Sequence, residues 1–274
     1  MDSSIDEARD LHASIPVPAR GRRSDNLSAA AETAMGVVQY FPDQAPIGDS
    51  IAWYGEYLRP QTDLLTRLIA PGTVMMEIGS GIGAHVLALA PAVGNAGHFF
   101  LYESRALFQQ VLRQNLGANG IGNVTVMKRA LRGQLPSAAD VAGDAGNGSG
   151  ACGSAAPTTI TETVDELRLD TLHWLKVNEA TDALEILEGA AESLWRLRPK
   201  LFVAAATVQA ALSIASRARD FGYQCWKMEV PYFDPGNFNR RDADIFASRS
   251  AIAVLAIPEE IEADVTLDHC TRLV

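Results

Sequence analysis

Residues 74–84, VMMEIGSGIGA, pass from an apolar segment of strand length into a turn with glycine at every second position, Gly79, Gly81 and Gly83, and then into a helical pattern. Such a turn lets the backbone approach a ligand closely, and the helix that follows offers free N–H groups and the positive end of its dipole. The rest of the chain repeats the strand-then-helix order. Val74–Ile78, Phe99–Tyr102, Val124–Met127, Leu175–Val177 and Leu201–Ala204 are short apolar runs suited to parallel strands buried on both faces, while Ala84–Ala92, Ala106–Leu116 and Val208–Asp220 have helical character. Right-handed crossovers follow from that alternation. Tyr223–Val230 and Ala251–Ile257 are placed to close the sheet as an antiparallel pair. The expectation is an α/β protein: a Rossmann-like sheet of seven strands with helices on both faces and a small N-terminal helical cap.

The flanks divide by composition. Residues 1–35 mix charge, Ser, Ala and Pro without periodicity and read as a flexible leader. Residues 36–72 read as the cap, with Ile51, Tyr54, Leu58, Leu64, Leu65 and Leu68 on helical segments broken at Pro60. The main domain spans 73–258, interrupted at 133–159 by a Gly/Ala/Ser-rich stretch that reads as a flexible loop, and 259–274 reads as a C-terminal tail. The chain has 274 residues, 47% of them apolar, which excludes wholesale disorder. A net charge of −10 argues against a nucleic-acid partner, whose phosphates that field repels. Leu201–Ala215, the nearest approach to a membrane span, is interrupted by Thr207, Gln209 and Ser213. Acidic residues near the N-terminus do not fit a secretory signal, and Cys152, Cys225 and Cys270 make neither a disulfide framework nor a zinc site. A cytoplasmic protein is expected. The sequence sets no oligomeric state.

Gly79, Gly81 and Ala84 also satisfy a loose dinucleotide fingerprint, and Glu103 lies 19 residues beyond Ala84 at the tip of the next strand. NAD and S-adenosylmethionine are therefore both candidates. Glu77, two residues before the first glycine, repels a pyrophosphate and welcomes a ligand carrying an ammonium group, which favours S-adenosylmethionine. Glu103 accepts from ribose hydroxyls under either reading.

Separate blocks along Phe41–Pro258 resemble the FkbM-type methyltransferases. DQAPIG at 43–48 and YGEY at 54–57 are similar to that family's entry segment. The glycine loop stands where it has a D-V-G-A-N-I-G type sequence, and NLGANG at 115–120 with Asn123-Val124 and Ala130-Leu131 looks like its third-strand region. LEGA at 187–190, Arg198-Pro199 and FDPGNF at 233–238 continue the match. The resemblance implies the seven-stranded methyltransferase fold, S-adenosylmethionine as cofactor, and O-methylation of a hydroxyl on a sugar or secondary metabolite, with a small molecule or glycan as acceptor. Glu77, Gly79, Ser80, Gly81 and Gly83 would hold the methionine end, with His85 beside the loop. Glu103 would take the ribose, and Ala130 would lie by the adenine.

The chain departs from the family after the fourth strand. Where relatives read approximately K-I-D-V-E-G-x-E, this sequence has KVNEATDA at 176–183: Asn178 replaces the aspartate, and Ala180 and Ala183 replace the glutamates. An amide can orient a cofactor or acceptor but cannot act as a general base. Asn178, Lys176 and Glu179 are the candidate catalytic residues. The competing structural readings are Asn178 as a helix cap, Glu179 and Asp182 as first-turn acids, and Lys176 as a solvated charge or ion-pair partner. A non-catalytic relative with a regulatory or scaffolding role is the alternative those departures raise. Tyr54, Trp226, Tyr232 and Phe238 are candidates for an acceptor pocket, with core or cap packing as the competing reading for each. Leu184, Leu187, Ala191, Leu194 and Trp195 recur at core-helix spacing. No cluster has metal-ligand spacing, so no metal is expected.

Overall fold

The computed structural model describes residues 28–127, 130–131, 161–262 and 269–273. Most of the leader and the whole of the 133–159 stretch, Cys152 included, lie outside the described residues.

Ala29–Thr33 (β1) and Gly36–Tyr40 (β2) pair as an antiparallel hairpin, so strand structure starts inside the segment read as leader. AAAET carries no apolar alternation, which is why it is silent in sequence. Its anchor is tertiary. Asn115 Oδ1 accepts from Gln39 N at 2.7 Å and Asn119 Oδ1 from Val37 N at 3.1 Å, so two asparagines of the NLGANG block satisfy the outer edge of β2.

The cap helices are Ile47–Tyr54 (α1) and Arg59–Leu68 (α2). The break between them lies at Gly55–Leu58, not at Pro60, because Leu58 takes a left-handed φ of 48° and Pro60 sits in the first turn of α2, where no backbone donor is needed. The core follows as Val74–Ile78 (β3), Ala84–Val93 (α3), His98–Tyr102 (β4), Ala106–Ala118 (α4), Val124–Val126 (β5) and the short pair Ala130–Leu131 (β6) and Thr161–Glu162 (β7). Then come Trp174–Val177 (β8), Ala183–Glu188 (α5), Ala191–Leu197 (α6), Lys200–Ala205 (β9), Val208–Asp220 (α7), Tyr223–Pro231 (β10), Ser250–Pro258 (β11) and Cys270–Leu273 (β12).

The central sheet has the order β12-β10-β11-β9-β8-β3-β4-β5. Its five parallel strands follow the doubly wound order, and the predicted antiparallel pair is β10 with β11, the latter inserted beside β9. This is the Rossmann-like α/β architecture expected, with eight strands rather than seven. The eighth, β12, is a four-residue edge strand, CTRL, held by β10 alone and without apolar alternation of its own. It falls in the segment read as tail.

Side chains alternate across the sheet. On β3 and β8, Met76, Ile78, Leu175 and Val177 pack in one apolar layer with α5 and α7, whereas Met75 and Trp174 pack in the other with α2 and α3. Glu77 and Lys176 fall on that second face. The core stripe expected over Leu184–Trp195 divides into α5 and α6, in which Ile186, Leu187 and Leu194 are buried while Leu184 and Trp195 are exposed. Among the described residues no helix is long and apolar enough to cross a membrane.

Candidate functional site

The chain leaves β3 at Ile78 and turns over the end of β4, because Gly79 N and Ser80 N both donate to Tyr102 O at 2.9 Å. The turn needs left-handed backbone at Gly79 (φ 73°), Gly81 (φ 56°) and Gly83 (φ 88°), a region that costs other residues energy. A Cβ on Gly83 would lie 2.6 Å from Leu112, so that glycine serves packing of α3 against α4, whereas a Cβ on Gly81 would meet nothing within 4 Å. Gly81 therefore faces open space. At Gly79 the space is taken by Glu179, whose carboxylate would stand 2.7 Å from an added Cβ. Ser80 donates its hydroxyl to Glu77 O, so it braces the turn.

β3 and β8 are parallel neighbours with Glu77 directly opposite Lys176, and both side chains are wholly buried. Lys176 Nζ donates to Glu77 Oε1 at 3.0 Å and to Asn178 Oδ1, and His85 Nδ1 lies 2.9 Å from that ammonium and 3.5 Å from Glu77 Oε1. Asn178 Nδ2 donates to Glu77 Oε1 at 2.7 Å and to Gly79 O at 2.9 Å, tying β8 to the glycine turn. Burial by itself pushes the Glu77 carboxyl up, but Lys176, His85 and Asn178 outweigh it and hold the group at about 2. Burial pushes both His85 and Lys176 down, with the Lys176 charge adding to the effect on His85 and Glu77 opposing both. One atom is left over: Glu77 Oε2 is buried and has no hydrogen-bond partner among the described residues. A buried carboxylate oxygen without a donor is costly, which marks a place for a missing donor.

Glu103, one residue beyond β4, is also buried, and its carboxylate is saturated. Oε2 accepts from Gly81 N at 2.8 Å and Arg105 Nη2 at 2.9 Å; Oε1 accepts from Arg105 N at 2.9 Å and Arg105 Nε at 2.8 Å. The guanidinium also lies 3.6 Å over the ring of Phe108.

Beside His85 a cavity of about 300 Å3 opens at the carboxyl ends of β8 and β9, where ligands of open α/β sheets gather. Tyr57, Phe202 and Tyr232 supply its aromatic wall, Ala204–206 and Ile252 its aliphatic one, and His85, Asn178 and Gln61 its polar end. A larger depression of about 410 Å3 lies along the sheet edge by Lys227, Glu229 and Cys270, away from the glycine turn.

These positions correct several expectations. Lys176 is no solvated charge, because the strand register puts it inside the sheet against Glu77. Asn178 caps no helix: α5 starts only at Ala183, after Asp182, and the amide is committed to Glu77 and Gly79. Glu179 and Asp182 therefore precede the helix instead of forming its first turn. Of the four aromatics weighed between an acceptor pocket and core or cap packing, only Tyr232 lines the cavity. Tyr54 is buried, donating to Ala243 O and accepting from Ile245 N; Trp226 packs in the core; Phe238 is exposed, on a loop tied to the cap by Glu56. Tyr57 and Phe202 were missed, although Phe202 is in register with Lys176 across β8 and β9 and so shares its face. Ala130 lies on β6, opposite Thr161. No group of His, Cys, Asp or Glu able to hold a metal occurs among the described residues.

No family model matches the chain, and a search of curated proteins returns no significant relative. Among solved structures it is similar to an S-adenosylmethionine-dependent O-methyltransferase of Thermotoga maritima, at 16% identity over 86% of this chain and 79% of that one, with a TM-score of 0.47. It is also similar to a precorrin-6y C5,15-methyltransferase of Geobacter metallireducens, at 16% identity over 73% and 86%, TM-score 0.46. A third is the O-methyltransferase TomG of Streptomyces achromogenes, solved with S-adenosylmethionine, at 15% identity over 73% and 79%, TM-score 0.42. Likeness at this level says nothing of what the chain itself binds.

Proposed function

We propose that the protein is a cytoplasmic S-adenosylmethionine-dependent methyltransferase of the FkbM type that methylates a hydroxyl of a small-molecule or glycan acceptor. The observation that carries the reading is Glu77 Oε2, buried without a donor at the foot of a glycine turn whose middle glycine faces open space. An ammonium group there would supply the missing donor, and the methionine moiety would rest along Gly79, Ser80 and Gly81. Glu103 would receive the ribose hydroxyls once Arg105 yields its place, and Ala130 would lie beside the adenine. When bound, S-adenosylmethionine supplies an electrophilic methyl group on a sulfonium. The protein's share is positioning: His85 and Asn178 link the turn to the cavity, and aligning acceptor with methyl group is itself a large part of such a rate. Net charge −10 supports an acceptor other than a nucleic acid, and free, buried Cys225 is in keeping with a reducing compartment.

The saturated Glu103 favours a second reading, a non-catalytic relative whose ribose site is closed by its own arginine. Calorimetric titration with S-adenosylmethionine, with NADH as control, separates the two. Selective binding of S-adenosylmethionine is expected; absence of binding overturns the methyltransferase reading in favour of the second, and binding of NADH overturns both.

A further inference from the structure

We propose that the cavity beside the glycine turn takes an uncharged, largely hydrocarbon compound through one neutral hydroxyl seated between Gln61 and His85, and turns away sugars and ionised compounds. That this ligand is the methyl acceptor rests on the function proposed above, whose acceptor it narrows from small molecule or glycan to the first of these.

Gln61 on α2 and His85 on α3 both line the cavity, and the amide nitrogen of Gln61 stands 3.3 Å from His85 Nε2. Burial and the Lys176 charge push His85 down, so near neutral pH the imidazole is uncharged and Nε2 either gives a proton or takes one. A bare Nε2 accepts from the amide N–H; a protonated Nε2 donates to the amide oxygen once the amide turns over. Under both arrangements one partner gives and the other receives. The contact is longer than the roughly 2.7–3.2 Å of an ordinary protein hydrogen bond, so it yields readily. A group that takes its place must give to one partner and receive from the other at once. A neutral hydroxyl does both. A phenolate or carboxylate only accepts and an ammonium only donates, so each leaves one buried partner unmet.

The walls select in the same direction. No Asp, Glu, Lys or Arg lines the cavity. Of the titratable groups around His85, Lys176 and Glu77 pair with each other, and Tyr57, its ring 5.3 Å from the imidazole, is pushed up by burial and stays a phenol. Asn178 is committed to Glu77 and Gly79. An ionised ligand therefore loses its water and meets no opposite charge. Tyr57, Tyr232 and Ser250 add hydroxyls at three points of the lining, while Phe202, Ala204–206 and Ile252 offer only hydrocarbon. A sugar carries hydroxyls all round its ring, and those turned to the hydrocarbon wall would be buried without partners. A hydrocarbon body with one hydroxyl has no such cost, in keeping with sites in which a few polar groups orient an apolar ligand.

The inference is testable on the full-length protein without any cofactor. 2-Naphthol and naphthalene differ only in the hydroxyl; followed by naphthyl fluorescence, the naphthol should bind about threefold to tenfold more tightly. Absorbance titration of the bound naphthol should give a pKa raised by about one unit, a tenfold preference for the neutral form. 2-Naphthoate and methyl glucoside, followed by calorimetry, should not bind. Gln61→Leu combined with His85→Phe strips both partners from the hydroxyl, and naphthalene should then bind the better of the two. Gln61→Leu alone, which leaves the Glu77–Lys176 pair intact, should shrink the rise in pKa, because a lone imidazole meets the anion through its Nε2–H. Equal binding of naphthol and naphthalene by the parent, a bound pKa unchanged or lowered, binding of the naphthoate or the glucoside, no binding of either naphthyl compound, or parent-like behaviour of both variants overturns the proposal. The S-adenosylmethionine titration reads the other site: naphthol held through its hydroxyl with no cofactor binding removes the methyltransferase reading alone, and cofactor binding with no preference for the hydroxyl removes this inference alone.

Discussion

Glu77 and Glu103 stand at the ends of adjacent parallel strands, both buried, both against the same glycine turn, yet their carboxylates are treated in opposite ways. Glu103 has each oxygen filled twice, by Gly81 and by Arg105 two residues along the chain. Glu77 has every described partner crowded on Oε1 and nothing on Oε2. The difference teaches that burial alone does not mark a ligand site. A carboxylate whose bonds are closed locally is a finished piece of structure, and one left half-satisfied inside the protein is an unfinished one. Under the methyltransferase reading proposed above, the Glu77 end would receive a donor and the Glu103 end would have to give one up.

Breaking the Glu77 side should cost most. Lys176→Met leaves a buried anion without its cation, a loss of about 3–5 kcal/mol, and the melting temperature should fall by roughly 10 °C for a chain this long. Adding Glu77→Leu to that variant should restore most of the loss; if the double variant is no better than the single one, the pair is not what the stability reflects. The same network sets an acid limit. Glu77 is held at about 2 against an ordinary 4.5, so its contribution is full above 4.5 and vanishes as pH falls through the folded-state value. His85, lowered from 6.5, acts in the same direction, because the unfolded chain takes up that proton first and stability therefore begins to decline below about 6.5. An acid titration followed by circular dichroism should show stability falling from about pH 6.5 downward, and a flat profile to pH 3 contradicts the assignment. Asn178→Asp sharpens the point: in place of two amide donors it sets a second carboxylate against Glu77 Oε1 and Gly79 O, at a cost of about 2 kcal/mol by urea denaturation. An aspartate at this position thus disturbs the network before it supplies a base.

On the Glu103 side the prediction reverses sign for binding. Arg105→Ala removes two of the four bonds that close the carboxylate and should tighten S-adenosylmethionine about tenfold, near 1.4 kcal/mol. Stability should drop by only about 0.5–1 kcal/mol, since the arginine is partly exposed. Weaker cofactor binding in this variant would mean that the arginine holds the ligand rather than its place.

Much of this was legible before any coordinates. The strand-turn-helix at 74–84 and the alternation after it carry the parallel half of the sheet, because buried parallel strands announce themselves as continuous apolar runs. The edge elements β1 and β12 were silent, as short polar strands held by their neighbours leave no pattern of their own. At the site, Glu77 and Glu103 stood out by their distance from the glycines. The Lys176 partnership was latent in strand register, since Glu77 and Lys176 fall on the same face of adjacent strands, but seeing it required knowing that β8 lies beside β3. Asn178 and Tyr57 owe their surroundings to contacts across long stretches of chain, and there a local sequence has nothing to say.

The smallest expected effect tests whether the open end of the turn is open for a ligand. Gly81→Ala meets no atom within 4 Å, so its cost to folding is the left-handed backbone alone, about 1 kcal/mol. Gly83→Ala carries the same backbone cost plus a clash with Leu112 at 2.6 Å, and should destabilise more. If the space over Gly81 is where the cofactor lies, Gly81→Ala should weaken S-adenosylmethionine binding beyond what its small stability loss accounts for, whereas Gly83→Ala should disturb stability first and binding only in step with it. Equal ratios of binding loss to stability loss in the two variants would place Gly81 with Glu103, as structure completed within the chain, and remove it from the side of Glu77.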